Sequence, residues 1–493
     1  MTADHTSAPS DHYEVVVVGA GIAGLNALAV ASGYLGPHDR VLLVDRRHRV
    51  GGMWVDTYPY VRLHQPHPFF TAGDIPWTLG EGRAYLATKW EVLDHFSHCI
   101  AELRHRVRLD QWLETEYVGH EVVDGTVRVT CRGAEGRERV ASAERFVKAT
   151  SLEIMPNRPF PVSSEQVQSV TPESDVREGE IARSTAPVWI VGGGKTAMDT
   201  ARAIITAQPG REVNMLAGSG TFFLERDRAF PTGHRRWWGG QRGYPYFRDW
   251  SMRFDGTNER EVMRWVSDHP STISITPRPR DFLFGQLSRS EATTISAGLR
   301  QVVTDHLVDV VDEGGRPHLE LRSGARRAIE PGSWLVNCSG HFFRGEQQPY
   351  APYTSAGGRV ATVTPRSTIA LLASFSGYFI THLLMLGKLD ELPLYEVDAD
   401  TLGRRDRDAW ACTVVAVHMH NLSVMIDALP RTVFARNGLD FEKWFPLHRQ
   451  LLTSVQVMRE HGALIEHTAA ALDRVREVHG VRCGPLPELA AAR

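Results

Sequence analysis

Two glycine-rich turns are the parts of the sequence whose residue types and spacing most clearly support chemistry. In the first turn, Gly19, Gly21 and Gly24 follow four consecutive valines and precede an Ala- and Leu-rich segment. A G-x-G-x-x-G turn between a buried strand and a helix leaves the N–H groups of the helix start free to bind a pyrophosphate. The sequence therefore predicts a dinucleotide site, the alternative being a turn without a ligand. Its predicted binding residues are Gly19, Gly21, Ile22, Ala23 and Gly24.

An acidic residue stands where the ribose of such a dinucleotide needs a hydrogen-bond acceptor. The apolar run from Val41 to Val44 indicates a second strand, and it ends at Asp45. An acid about 20 positions beyond the glycines is typical of ribose recognition. Asp45 and the adjacent Arg46 are therefore predicted to contact the cofactor.

A second glycine turn repeats the pattern later in the chain. Gly192, Gly194 and Ala197 follow the strand-like run from Val188 to Val191 and precede a predicted helix, Met198 to Ala207. Two turns in this context are far more specific than one. The predicted binding residues are Gly192, Gly194, Lys195, Thr196 and Ala197. Lys195 either contacts a cofactor phosphate or is a solvated lysine.

Composition bounds the architecture and the partners. A chain of 493 residues, 42% apolar and 23% charged, is ordinary for a globular protein but too long for one core. The formal net charge of -3 gives no bulk attraction to nucleic acid or to an acidic membrane. The five cysteines form no C-x-x-C pair, which argues against a local dithiol and a zinc knuckle, and no metal site is predicted.

Two segments bear on cellular location. The polar start, Met1 to His12, lacks the apolar core of a signal peptide, so we expect a cytoplasmic protein. The uncharged stretch from Ile369 to Gly387 is long enough for a membrane span. Its serine, threonine and histidine side chains instead predict a buried strand and helix.

Further elements are predicted from hydrophobic periodicity. We expect a helix from Ala84 to Leu103, a strand from Val122 to Val129 and a strand from Glu212 to Leu216. The aromatic- and Arg-rich segment from Thr221 to Arg280 is interpreted either as an insertion over an active-site cleft or as a satellite core with a solvated rim. Three C-terminal helices are predicted: Asp406 to Ala428, Phe441 to His461 and Ala463 to His479.

A tryptophan-containing glycine loop carries a family resemblance. The sequence reads Gly51-Gly52-Met53-Trp54, and Tyr58 to Phe70 then reads YPYVRLHQPHPFF. Together with the two turns, these segments resemble the flavin-dependent monooxygenases with two dinucleotide domains, which include N-oxygenating, N-hydroxylating and Baeyer–Villiger enzymes. The resemblance implies FAD at the first turn and NAD(P) at the second. It adds these residues to the FAD site: Gly52, Met53, Trp54, His64 and Gln65.

The same resemblance implies candidate catalytic residues and a reaction. In that family an amide side chain lies near the reactive edge of the flavin, and His64 or Gln65 would occupy that place, although a structural role for both is equally open. The implied function is that of an FAD-dependent monooxygenase. NAD(P)H reduces FAD, reduced FAD and O2 give a C4a-(hydro)peroxide, and oxygen passes to nitrogen or sulfur of a small molecule.

The sequence departs from the family pattern in two places, and these narrow the predicted reaction and the predicted nicotinamide cofactor. The Baeyer–Villiger pattern F-x-G-x-x-x-H is absent from Phe160 to Val188, which argues against ketone oxygenation. Relatives that use NADPH place an arginine after the strand that here ends at Leu216, but this chain continues with Ala, Gly and Ser. Lys195, Arg226 or Arg228 would have to replace that arginine, or the enzyme uses NADH. The alternative functions are a non-oxygenating NAD(P)H-dependent flavin oxidoreductase and a flavin-binding redox sensor with a vestigial second site.

The predicted fold is α/β, with two Rossmann-like, three-layer dinucleotide-binding domains and a helical C-terminal region. The FAD domain is predicted to be discontinuous, formed by residues 11–160 and 330–397. The NAD(P) domain is predicted to span 161–329 with the insertion at 221–280, and the helical region 398–493. Aromatic and Arg side chains of the insertion favour a small-molecule substrate that is aromatic or carries a carboxylate. Neither nucleic acid nor membrane is predicted as a partner, and an oligomer is compatible with the sequence.

Overall fold

The computed structural model describes residues 11–150, 156–174, 176–340, 342–343, 345–355 and 357–491. Most of the polar N-terminal arm therefore lies outside the described residues. The described chain forms two parallel-sheet units followed by a mainly helical region.

The first unit begins the described chain and is built around a central sheet with buried strands. Its elements are β1 (Asp11–Val18), α1 (Ile22–Ser32), β2 (Arg40–Val44), α2 (Lys89–Arg104), β3 (Arg108–Trp112), β4 (Thr115–Val123), β5 (Thr126–Gly133) and β6 (Glu138–Lys148). The strand order is β3-β2-β1-β6-β5-β4, with β3, β2, β1 and β6 parallel. Val15 and Val17 pack toward the helices, whereas Val16 and Val18 pack on the opposite face with residues of β5. All four valines are buried because both faces of β1 are covered.

The predicted strand from Val122 to Val129 is wrong in its extent. The structure places a hairpin turn at Asp124 and Gly125, between β4 and β5, with φ of 48° and 78°. Asp-Gly is a favoured pair for a two-residue hairpin turn with positive φ at both positions. The local dipeptide therefore outweighs the run of β-branched residues around it.

The second unit contains a five-stranded parallel sheet and two small sheets. Its elements are β7 (Gln168–Val170), α3 (Glu180–Arg183), β8 (Val188–Val191), α4 (Lys195–Ala207), β9 (Val213–Leu216), β10 (Thr221–Glu225), α5 (Arg226–Ala229), α6 (Arg235–Trp238), α7 (Gly243–Arg253), α8 (Glu259–Asp268), β11 (Thr272–Ile273), β12 (Asp281–Leu287), α9 (Arg289–Gly298), β13 (Leu299–Val303), β14 (Leu307–Glu313), β15 (Arg316–Leu321), β16 (Arg326–Ala328) and β17 (Trp334–Asn337). The parallel sheet has the order β13-β9-β8-β17-β7. The small sheets are β11-β10-β12 and β14-β15-β16.

The third part of the chain returns to the first sheet and then becomes helical. Its elements are β18 (Val360–Thr362), α10 (Ala373–Met385), β19 (Tyr395–Val397), α11 (Ala399–Arg405), α12 (Arg407–Ala428), α13 (Arg431–Arg436), α14 (Leu447–His479), β20 (Cys483–Pro485) and α15 (Pro487–Ala491). β18 pairs in parallel with the last residues of β6, and α10 packs against α1. The first sheet is thus completed by residues far along the chain.

One domain boundary differs from the prediction, and the segment 221–280 matches one of its two interpretations. β17 pairs with β8 and β7 of the second sheet, although 330–397 was assigned to the first domain. The chain rejoins the first sheet only at β18. The segment 221–280 contributes β10 to a small sheet and packs α7 and α8 against α12 and α14, so it forms a satellite core with the C-terminal helices.

The longest helix replaces two predicted ones. α14 runs from Leu447 to His479 without a break at Gly462. Its C-cap is Gly480, whose φ of 59° is left-handed. The prediction of a helix within 369–387 is confirmed by the buried α10, but no strand precedes it there. α12 is the one described helix that is long and apolar enough to cross a membrane, and 78% of its apolar window is buried inside the protein.

The predicted fold class is confirmed. The chain is α/β with two Rossmann-like parallel sheets and a helical C-terminal region. In each sheet, one strand leads into a glycine turn and a helix. This architecture places the two glycine turns at the carboxyl ends of β1 and β8. Ligands of open α/β sheets bind at this edge.

Candidate functional site

The first glycine turn is held by contacts that only glycine permits. Gly19 has a φ of 103° and donates its N–H to Val44 O at 2.7 Å. A Cβ on Gly24 would collide with Gly19 O, because α1 starts directly against the turn. Gly21 is the N-cap of α1, and no side chain caps that helix end. The N–H groups at the start of α1 are therefore available to an anion.

The Gly51–Gly52 loop lies against this turn, as the resemblance implied. Gly51 N–H donates to Ala20 O at 2.9 Å, and a Cβ on Gly52 would lie 2.7 Å from Gly21 Cα. Trp54 is buried with its ring centroid 5.6 Å from that of Phe70, whereas Met53 is 42% exposed. The structure thus brings the residues predicted from two separate motifs into one backbone-lined cradle.

Asp45 braces the first turn. Its carboxylate accepts hydrogen bonds from Ala20 N–H at 2.6 Å and from Arg47 N–H at 2.8 Å, and the residue is buried. Both carboxylate oxygens thus hold backbone at the mouth of the cradle. Contact with a ribose at Asp45 and Arg46 stays a prediction.

The second turn forms a cradle that is open in front of its helix. Gly192 has a φ of 134°, and a Cβ there would collide with Cys338 O. Gly194 is the N-cap of α4, and no described atom lies within 4 Å of a Cβ built on it. Ala197 is fully buried under the helix. The space beside Gly194 at the start of α4 is therefore open, and the residues fit a second dinucleotide.

Lys195 and Thr196, the other two predicted residues of this cradle, take part in contacts with the first unit. The Lys195 ammonium is paired with Asp199, whose other oxygen accepts from Tyr58 OH at 2.9 Å. Thr196 also hydrogen-bonds the Tyr58 side chain. Burial and the nearby Asp199 carboxylate raise the pKa of Tyr58, so its hydroxyl stays a donor. The loop after Trp54 thereby anchors the first unit to α4.

Loss of the Tyr58 hydroxyl tests this anchor. We expect Tyr58→Phe to lower the free energy of unfolding by about 1.5–3 kcal/mol, the usual value of a hydrogen bond to a charged group. Tyr34→Phe removes a hydroxyl from an exposed pair with His382 and should cost less. Urea unfolding of both variants measures the difference. Equal losses would show that the Asp199 bond adds nothing to the contact between the units.

The two candidate catalytic residues lie between the units. His64 Nδ1 accepts from Gln286 N–H at 3.3 Å, and His64 O accepts from Arg226 at 3.3 Å. Burial, with Lys195 and Arg226 nearby, lowers the pKa of His64 to about 3, so the ring is neutral and its Nε2 carries the proton. The Gln65 amide donates to Phe69 O at 3.5 Å and is buried. The structure therefore places His64 beside the second cradle and leaves Gln65 only loosely held.

A buried ion pair lies beside His64. The sequence predicts the helix cap to which one member of the pair belongs, but it does not predict the pair itself. Arg226 is paired with Glu291, and their side chains are 11% and 5% exposed. Burial opposes ionisation of Glu291, but Arg226, Lys195 and the Ser288 N–H outweigh it and lower the pKa to about 2. Ser288 and Glu291 form a capping box, an S-x-x-E pattern that marks a helix start. The pairing with Arg226 has no such local signal.

The three cations named as substitutes for a 2′-phosphate arginine are all engaged elsewhere. Lys195 is paired with Asp199, Arg226 with Glu291, and Arg228 lies 3.4 Å from Glu225. At the end of β9, a Cβ on Gly218 would lie 3.2 Å from the His306 ring. None of the three residues therefore offers an unpaired positive charge in this structure.

A known family model matches the part of the chain that carries both cradles. Residues 13–232 match the family model described as pyridine nucleotide-disulphide oxidoreductase. Three curated relatives, uncharacterized proteins of Mycobacterium bovis and of two strains of Mycobacterium tuberculosis, are each 31% identical over an alignment of 214 residues that covers 39% of this chain. The chain spans 36% of the length of these relatives.

Solved structures resemble the fold at low identity. An oxidized steroid monooxygenase bound to NADP is 15% identical with a TM-score of 0.48, covering 91% of this chain and 98% of its own. The cadaverine monooxygenase DfoA of Erwinia amylovora is 13% identical with a TM-score of 0.48, covering 77% and 95%. A bacillithiol disulfide reductase of Bacillus cereus is 12% identical with a TM-score of 0.45, covering 76% and 99%. The family model matched by residues 13–232, the segment that carries both glycine turns, is that of pyridine nucleotide-disulphide oxidoreductases, whose members bind FAD and NAD(P)H.

Proposed function

We propose that this protein is an FAD-dependent monooxygenase that oxidises NAD(P)H and uses O2 to oxygenate a small molecule at nitrogen or sulfur. The observation that carries the proposal is the pair of cradles. Each has a glycine N-cap and a helix start without a side-chain cap, and residues 58–65 bridge from one unit to the other. Two dinucleotides held this way can bring their redox rings together.

The residues of the first cradle would hold FAD through backbone groups. The N–H groups at the start of α1 and the close backbone of Gly52 fit its pyrophosphate, and Trp54 with Phe70 forms an apolar wall. FAD, when bound, supplies the electron transfer between nicotinamide and O2. The second cradle would hold NAD(P)H at Gly194, Lys195 and Thr196. We further propose that the protein acts in the cytoplasm.

Side chains between the cradles would position the reactants. His64 is neutral, so it can hydrogen-bond a cofactor or substrate through Nε2 without adding charge. Gln65 has an amide that is free to reorient, because its only hydrogen bond is 3.5 Å long within the described residues. The buried aromatic residues Phe69, Phe230 and Trp444 lie behind it and exclude water.

Cysteine placement argues against a disulfide reductase. The chain has no C-x-x-C pair. All five cysteines are described, free and buried. Burial raises the pKa of Cys99 and Cys131 to about 11 and that of Cys338 to about 12, so these thiols are poor nucleophiles. Non-oxygenating electron transfer is therefore the remaining alternative within the family.

Stepwise reduction and reoxidation test the proposal. The purified protein is mixed with NADH or NADPH without oxygen, and loss of the yellow flavin colour is followed. Air is then admitted with a candidate amine or thioether. We expect bleaching by at least one nicotinamide and, with a suitable substrate, an oxygenated product formed with little hydrogen peroxide. Stoichiometric peroxide with every substrate would indicate a reductase or oxidase, and no bleaching by either nicotinamide would leave the redox-sensor alternative.

A further inference from the structure

A large cavity lies where the C-terminal helices meet the two sheet units. It has a volume of about 1020 Å³ and is bounded by α7, α10, α12, α14 and the segment 429–442. Its walls are mainly apolar, with Leu371, Phe375, Leu422, Phe434 and Phe441 among them. A volume of this size is at the upper end for pockets that enclose a drug-sized ligand.

One polar side chain in this cavity lacks a protein partner. His418, on α12, lines the cavity beside Phe375, with ring centroids 5.5 Å apart. Neither ring nitrogen hydrogen-bonds any residue that the structure describes, and burial alone lowers the pKa of His418 to about 4. His420, two residues further along α12 and therefore on the opposite face, is bonded to Thr468 at 3.0 Å. The side chain is half-buried and lines the cavity, so His418 offers a neutral donor and acceptor to a ligand.

The cavity reaches toward the candidate catalytic residues. Phe441 forms part of its wall and packs edge-on against Phe69, with ring centroids 5.5 Å apart. Phe69 O is the acceptor of the Gln65 amide. On the other side, Phe375 belongs to α10, which approaches the first cradle so closely that a Cβ on Gly377 would collide with Ala23 O. One aromatic layer thus separates the cavity from the space between the cradles.

Apolar side chains of α14 form one side of the cavity mouth, and the exposed charged residues Asp427, Arg431 and Arg459 line it as well. Leu451, Val455 and Met458 of α14 line it and are 66%, 52% and 54% exposed. The nearby arginines of the 221–280 segment are already engaged, Arg242 with Thr453 and Arg248 with Glu460. An apolar molecule can therefore enter without meeting a carboxylate clamp from that segment.

We propose that this cavity is the substrate site, and that its ligand is a long-chain or polycyclic, mainly apolar molecule with one uncharged hydrogen-bonding group at His418. The inference rests on the proposed function, because it names the substrate class of that reaction. It replaces the expectation of a carboxylate-bearing substrate with one in which a neutral imidazole orients an otherwise apolar molecule. The binding itself requires neither NAD(P)H nor O2.

Binding of a matched series to the flavin-loaded protein tests the proposal. Decanol, decanoate and decylammonium share one chain length and differ in the charge of the head group. Calorimetric titration should show decanol binding at least about tenfold more tightly than either ion, because a charge would have to be desolvated beside the apolar walls. Equal affinity for all three probes would overturn the assignment of an uncharged group.

Three cavity variants and one control variant separate the role of the pocket from that of its polar group. His418→Phe should weaken decanol binding about tenfold, and His418→Gln should retain most of it, because glutamine keeps a donor and an acceptor. Leu422→Trp should abolish binding by filling the cavity, whereas Val308→Trp, at an exposed position of β14, should not. Circular dichroism and flavin content check that each variant is folded. Unchanged decanol binding in His418→Phe or in Leu422→Trp would overturn the proposal.

The proposal for the cavity and the proposal for the reaction can each fail without the other. If NAD(P)H fails to reduce the flavin, the proposed function falls, while the titrations still decide whether the cavity binds apolar molecules. If NAD(P)H oxidation and substrate oxygenation proceed but decanol does not bind, only the cavity assignment falls.

Discussion

Gly21→Val is expected to give a folded protein that purifies without its yellow colour. Gly21 has φ -84° and ψ -176°, which valine tolerates, so the backbone itself is not strained. A Cβ at this position would already lie 3.4 Å from Gly52 Cα, and the two methyl groups of valine would fill the space before α1. Loss of two hydrogen bonds to the pyrophosphate, at about 1.5 kcal/mol each, corresponds to about 100-fold weaker flavin binding. Flavin absorbance per protein in the purified sample measures the result.

Gly194→Val is the matched control, because Gly194 is also a helix N-cap with φ -80° and ψ -173°. This variant should retain flavin and instead lose affinity for NAD(P)H by a similar factor, measured from the concentration dependence of flavin reduction. A yellow Gly21→Val protein would contradict the assignment of FAD to the first turn. Loss of flavin in Gly194→Val but not in Gly21→Val would reverse the order of the two cofactors.

Features fixed by short stretches of chain could be predicted from the sequence. Both glycine turns fall between a strand and a helix, as expected, because the positive φ at Gly19 and Gly192 is a local requirement for glycine. The Asp124-Gly125 hairpin is also encoded locally, but the β-branched residues on both sides of it favour a continuous strand. The single helix through Gly462 shows the opposite case, since one glycine does not end a helix that tertiary packing supports.

Features that join distant residues could not be predicted. Arg226 and Glu291 are 65 residues apart, and nothing near either one identifies its partner. His418 lies on an almost wholly buried helix, where a histidine reads as part of the core. It is the packing of α7, α10 and α14 around that helix that leaves its ring facing a cavity. The substrate side of the molecule is therefore a tertiary property, whereas the cofactor side is largely a local one.

Glu291→Ala is expected to lower the free energy of unfolding by about 3–5 kcal/mol, because it leaves the Arg226 guanidinium buried and unpaired. Replacing both residues, as in Arg226→Met with Glu291→Met, should recover much of this loss, since two apolar side chains leave no buried charge. The exposed pair of Glu313 and Arg326 provides the control, and Glu313→Ala should cost about 0.5 kcal/mol or less. Chemical unfolding of the wild type and the three variants completes the comparison. A double variant as unstable as the single one would mean that the cost arises from packing.

The pH dependence of the same pair gives an independent check. The pKa of Glu291 is lowered to about 2 from its ordinary 4.5, so the ionised carboxylate stabilises the folded state fully above pH 4.5. That contribution is lost as the pH falls from 4.5 toward 2. The stability difference between the wild type and Glu291→Gln should therefore be constant near neutral pH and shrink in acid, by up to about 3 kcal/mol. A difference that stays constant through this acid range would show that Glu291 is held by hydrogen bonds that glutamine also makes, and that its charge contributes little to the support of His64.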